Sequence, residues 1–218
     1  LLSGKEMEKV VERNPVIEKK SVNNIMTALY AFVVISFFIT IVDIIIRFPL
    51  QSEMIDYNDI QAIVINVLAL LIQIVFFAYG FVNAIRGMLS PKRMGAVIVA
   101  FFAATCITGT GNMVINSNVQ IVLWWIVLII PNVVGAVATF AYFVSGKKSK
   151  IYSIIIYLAA IWGIFRIIYS NYNLIVHANQ YLSMNSTVRL VLGIAIHCLV
   201  IYQTYVLWIK RQNAIDIS

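Results

Sequence analysis

Six apolar runs, at approximately 25–48, 60–85, 94–115, 120–144, 151–170 and 188–209, occupy most of the 218-residue chain. A helix needs roughly 20 predominantly apolar residues to cross the hydrocarbon core of a bilayer, and every run reaches that length. Each is therefore expected to be a transmembrane α-helix. Composition points the same way. Hydrophobic residues make up 61% of the chain and charged residues 11%, against about 25% charged in soluble domains. In water such a chain would expose far more contiguous apolar surface than a soluble monomer tolerates.

The basic residues give an expected topology. The N-terminal tail holds Lys5, Lys9, Arg13, Lys19 and Lys20. The link after the second run holds Arg86, Lys92 and Arg93, and the link after the fourth holds Lys147, Lys148 and Lys150. Lys210 and Arg211 begin the C-terminal tail. Thirteen of the sixteen basic residues thus fall on one side if the chain crosses six times. Cytoplasmic loops carry the excess of Lys and Arg, so both termini are expected in the cytoplasm, with the cell membrane as host. The expected fold is an all-α membrane protein, a six-helix bundle with N-in/C-in topology. It divides into a tail over 1–24, a transmembrane domain over 25–209 and a tail over 210–218, with no room for a soluble domain. The chain opens on Leu1-Leu2-Ser3, which suggests a processed or trimmed start, with Met7 a candidate first residue. The first run is too long for a signal-peptide core and is expected to be retained.

The net charge of +7 is spread between apolar runs and forms no basic stripe, so nucleic acid is not an expected partner. Cys106 and Cys198 lie inside runs and are expected to be buried thiols. Trp124 and Trp125 at one end of the fourth run, and Tyr142 at the other, are expected at the membrane interfaces.

Candidate chemistry lies in a few places. In the second run Ala62, Asn66, Ala69, Gln73, Phe76, Gly80 and Asn83 recur at steps of four and three, which places them on one helix face. That face is either a packing seam or, through Asn66 and Gln73, the wall of a solute path. Asp43 and Arg47, four residues apart, share a face at the outer end of the first run. Arg166 and Arg189 fall at a similar depth on the fifth and sixth, and Gly193 and His197 follow Arg189 at four-residue steps. These five charged or titratable residues are expected either to converge on a small anionic solute, which arginine's planar fork suits, or to snorkel separately to headgroups.

The Ile107-Thr108-Gly109-Thr110-Gly111 stretch only faintly resembles a potassium-channel filter. Small residues there point to close packing or early unwinding. Pro131-Asn132, with Gly135, is the expected place for a kink. With two histidines in the chain, neither a haem nor a metal site is expected, and no cofactor is. No His-Glu-x-x-His, no Gly-x-Ser-x-Gly and no paired intramembrane aspartates occur, and the chain is not expected to be an enzyme.

The leading functional expectation is a small-solute transporter, or the solute-binding membrane subunit of one, with an ATPase as a candidate partner. Its alternative is a non-catalytic subunit that binds a partner membrane protein for assembly, immunity or regulation. An intramembrane enzyme without a recognised motif comes third. A transporter requires a polar cavity inside the bundle, whereas a partner-binding subunit requires a dry core and a small-residue groove facing lipid.

Overall fold

The computed structural model describes residues 15–51, 57–115, 119–147, 149–170 and 184–215, and among them every long element is a helix. We label the helices α1 (Pro15–Gln51), α2 (Tyr57–Ile85), α3 (Pro91–Ile115), α4 (Val119–Thr139), α5 (Lys150–Ser170) and α6 (Met184–Ile215). A π-helical turn, Phe140–Val144, continues α4. Five of the six are long and apolar enough to span a bilayer. The described apolar part of α4 and its π turn, Ile129–Val144, is shorter. The protein is a multi-pass, all-α membrane bundle. At 1.5 Å per residue the 37-residue α1 measures about 55 Å, well beyond a 30 Å hydrocarbon core, so it projects past the membrane.

Consecutive helices pack on one another in chain order, and α1 packs on α6 to close a ring. A smaller contact between α3 and α6 pinches the ring across its middle. These two helices are accordingly the most buried, with half of each spanning window inside the protein, against 17% for α2. Lipid supplies no hydrophobic force between helices, so close packing must hold them together. Glycine makes much of that packing possible. Added Cβ atoms at Gly80, Gly95 and Gly193 would lie 2.6 Å from Tyr30 Cζ, 2.5 Å from Phe143 Cβ and 2.8 Å from Ile167 Cδ1. At Gly135 the atom would meet Ala159 and Phe102 at 3.0 Å.

One end of the ring gathers the charge. Asn23 Nδ2 donates to Ala84 O at 3.1 Å, tying the start of α1 to the end of α2. Ser90 caps α3 by accepting from Arg93 N at 3.3 Å, with Pro91 in the first helical position. Arg211 donates to Tyr142 O at 2.7 Å and Lys147 O at 3.0 Å. Its guanidinium also stacks 4.2 Å from the Tyr142 ring centroid. A cation there satisfies carbonyls left open at the helix end. Arg86, Lys92, Lys147, Lys150 and Lys210 are exposed around this basic end. Among described side chains only Arg166 carries positive charge near the other end.

Tyr142 is 1% exposed, beneath the Arg211 guanidinium at the basic end. Several sequence expectations are corrected. Cys198 is exposed and Cys106 partly so; neither is a fully buried thiol. Cys198 shares the lipid-facing stripe of α6 with Val191 and Tyr205, seven residues to either side. The chain stays helical through Thr108–Gly111, which engages the backbone carbonyls a filter would need, and neither a filter nor early unwinding is formed. The chain is also helical through Pro131, and a π-helical turn follows at Phe140–Val144. The side chains of Trp124 and Trp125 lie outside those described.

Candidate functional site

On α2 the lipid-facing stripe is Val64, Leu68, Leu71, Val75, Tyr79 and Val82, all between 43% and 63% exposed. On the opposite side Ala69, Phe77, Gly80 and Ala84 are buried against neighbouring helices. Asn66 and Gln73 sit on this inward side, since two residues along a helix turn the side chain by about 200°. Yet Asn66 is exposed and Gln73 partly exposed. Their accessible surface lies on the side of α2 turned away from the lipid-facing stripe. Phe76 does not belong to the inward face. It is 36% exposed, and Phe77, one residue on, is 1% exposed in its place.

Toward the basic end the interior is filled. Phe77 packs on Tyr30 and Phe37 of α1, with ring centroids 6.2 and 5.6 Å apart, and on Phe101 of α3 at 6.5 Å. Phe101 in turn meets Phe102 at 5.4 Å and stands edge-on to His197 at 5.0 Å. These rings form a continuous aromatic plug from α1 to α6. Below it Gln203 Nε2 donates to Tyr30 Oη, joining α6 to α1 with both residues at 0% exposure. Most other buried polar groups turn back on their own helices. Ser36, Thr40, Thr139 and Thr204 each donate to the carbonyl four residues earlier, between 2.7 and 2.9 Å. The inner half of the ring is thus filled by aromatic side chains and by polar groups bonded to their own helices.

His197 is held at three points. Its Nδ1 lies 2.7 Å from Gly193 O; a carbonyl only accepts, so Nδ1 carries the hydrogen and donates. The far edge of the ring rests on Gly163 of α5, where a Cβ would overlap the imidazole and lie 2.9 Å from Cε1. Phe101 closes the third side. Arg166, half-buried and one turn beyond Gly163, is within electrostatic reach of His197.

Of the five residues expected to converge, only Arg166 and His197 have described side chains, and Asn66 and Gln73 form a separate pair on α2. His197 and Arg166 are brought together on α5 and α6. No substantial packing joins α2 to α5 or α6. The side chains of Asp43, Arg47 and Arg189 lie outside those described. Among described residues no group of His, Cys, Asp and Glu is arranged to hold a metal ion. Sequence reasoning missed Tyr30, Gln203 and Gly163. Depth is the available signal for Gly163, which lies thirteen residues from Lys150, as His197 does from Lys210.

No protein-family model, curated protein or solved structure matches the chain.

Proposed function

We propose that the protein is a small-solute transporter, or the solute-binding membrane subunit of one. Its solute enters a chamber at the ring end opposite the basic collar. The observation that carries this reading is the accessible surface of Asn66 and Gln73 on the inward face of α2. An amide facing lipid would strand its donors and acceptors at a cost of several kcal/mol, whereas an aqueous chamber satisfies them. The basic residues of this end are all arginines (Arg47, Arg166 and Arg189), so the reading extends to an anionic solute. With the collar in the cytoplasm, as the positive-inside rule directs, both termini are cytoplasmic and the chamber opens outward.

The alternative, a partner-binding subunit, calls for a small-residue groove on the lipid face. Gly80, Gly95, Gly135, Gly163 and Gly193 are instead all consumed by contacts within the ring.

A thermal-shift screen of the purified protein against carboxylates, phosphates and neutral metabolites tests the proposal. An anionic ligand at a hundredfold its Kd stabilises by about 2.7 kcal/mol, a readable rise in Tm. Asn66→Leu and Gln73→Leu should abolish that rise and leave the ligand-free Tm nearly unchanged. A rise that persists undiminished in both variants overturns the site.

A further inference from the structure

The floor of the chamber has an unusual chemistry. Tyr30 and Gln203 are both wholly buried, and their hydrogen bond is a polar link between the first and last helices of the ring. Gly80 is what lets the Tyr30 ring lie flat on α2. The link is incomplete, because Gln203 Oε1 is buried with no hydrogen-bond partner among the described residues. Turning the amide over only exchanges the groups: Tyr30 would donate to Oε1 and leave the Nε2 hydrogens unmet. The closed arrangement is therefore one amide group short of satisfaction, and water entering the floor would supply the missing partner. A plug meant only for stability needs no polar pair at this point, since apolar side chains of similar shape fill such a space at no cost in unmet groups.

We propose that Tyr30 and Gln203 form the inner gate of the chamber, closed here and opened by hydration of the Gln203 amide. The proposal rests on the chamber reading given above. Opening separates α1 from α6 at the ring's closing seam and lets solute pass toward the basic end.

The test uses the full chain with Cys106→Ala and Cys198→Ala, carrying Ser36→Cys as a reporter. Ser36 is 6% exposed on α1, on the chamber side of Tyr30. A small methanethiosulfonate reagent is added at the basic end in vesicles, and the rate of modification is measured. Tyr30→Phe removes one oxygen and leaves the whole Gln203 amide unpaired. The rate should rise about tenfold, as expected when the closed state loses one hydrogen bond. Tyr30→Phe with Gln203→Leu makes the floor entirely apolar, and the rate should fall to or below that of the parent. Equal rates in parent and Tyr30→Phe overturn the gate. So does a rise in both single and double variants, because that reports a loosened ring. Asn66→Cys, probed from the opposite end, is the control for the chamber. If it reacts while the gate variants change nothing, the gate alone fails; if it stays unreactive, chamber and gate fall together. Should Tyr30→Phe not fold, Gly80→Ala displaces the Tyr30 ring and its hydroxyl without removing a polar group, and the same rise is expected.

Discussion

Replacing Gly163 by alanine should destabilise the ring through a single neighbour, His197. The added methyl would overlap the imidazole, with Cε1 2.9 Å away and two ring atoms closer still. The ring must retreat by more than about 1 Å to reach ordinary contact. Phe101 blocks one direction at 5.0 Å between centroids, and the Nδ1 bond to Gly193 O, 2.7 Å long, resists another. Overpacking costs about 1–3 kcal/mol and the lost hydrogen bond about 1 kcal/mol, so Gly163→Ala should cost about 2–4 kcal/mol. In a His197→Ala background the imidazole is gone and the same methyl fills space instead. The cycle of single and double variants, followed by reversible denaturation in mixed micelles, should then give a coupling of at least about 2 kcal/mol. Additive effects within about 0.5 kcal/mol would refute the packing of α5 on α6 through this pair.

Two glycines offer a contrast. Gly87 ends α2 with φ +64, donates to Ala84 O at 3.0 Å, and has open space where a Cβ would go. Gly87→Ala should therefore cost only about 1 kcal/mol of backbone strain in the same denaturation assay. Gly80→Ala, which drives a methyl into Tyr30, should cost more than twice that. Arg211→Ala removes two hydrogen bonds and a ring contact at the end of α4, for an expected loss of about 1–2 kcal/mol. Arg211→Lys should recover little of it, because an ammonium cannot fork to two carbonyls while lying flat on Tyr142. Cysteines placed at Ser52 and Ser183 should react with an impermeant thiol reagent in intact cells, and one at Ser149 only after lysis; labelling at Ser149 before lysis would refute the cytoplasmic collar.

The helices were legible because a membrane span must be long, apolar and continuous, and six runs met that requirement without overlap. Most of the Lys and Arg residues collect between the runs, and the described ones other than Arg166 gather at one end of the ring. The inward face of α2 could be read to within one residue. Asn66 and Gln73 stand where four- and three-residue steps put them, but Phe76 and Phe77 are adjacent and equally apolar, and rotation of the helix decided between them. Periodicity gives each helix a face and a depth but not its neighbours. Ring order places α2 away from α5 and α6, and only packing specifies that order. Cys198 was misjudged because a cysteine in an apolar run can face lipid as readily as protein.

The chamber is the central claim, and paired cysteines at one depth of α2 test it most directly. Asn66→Cys lies on the inward face and Leu68→Cys on the lipid face, where Leu68 is 52% exposed. Both are made in the Cys106→Ala, Cys198→Ala background and treated with a charged, membrane-impermeant thiol reagent added at the end opposite the basic collar. The thiolate is the reacting species and forms in water, not in hydrocarbon. Modification is expected at position 66 and none at 68. Equal protection of both positions, or reaction at 68 alone, would contradict the chamber.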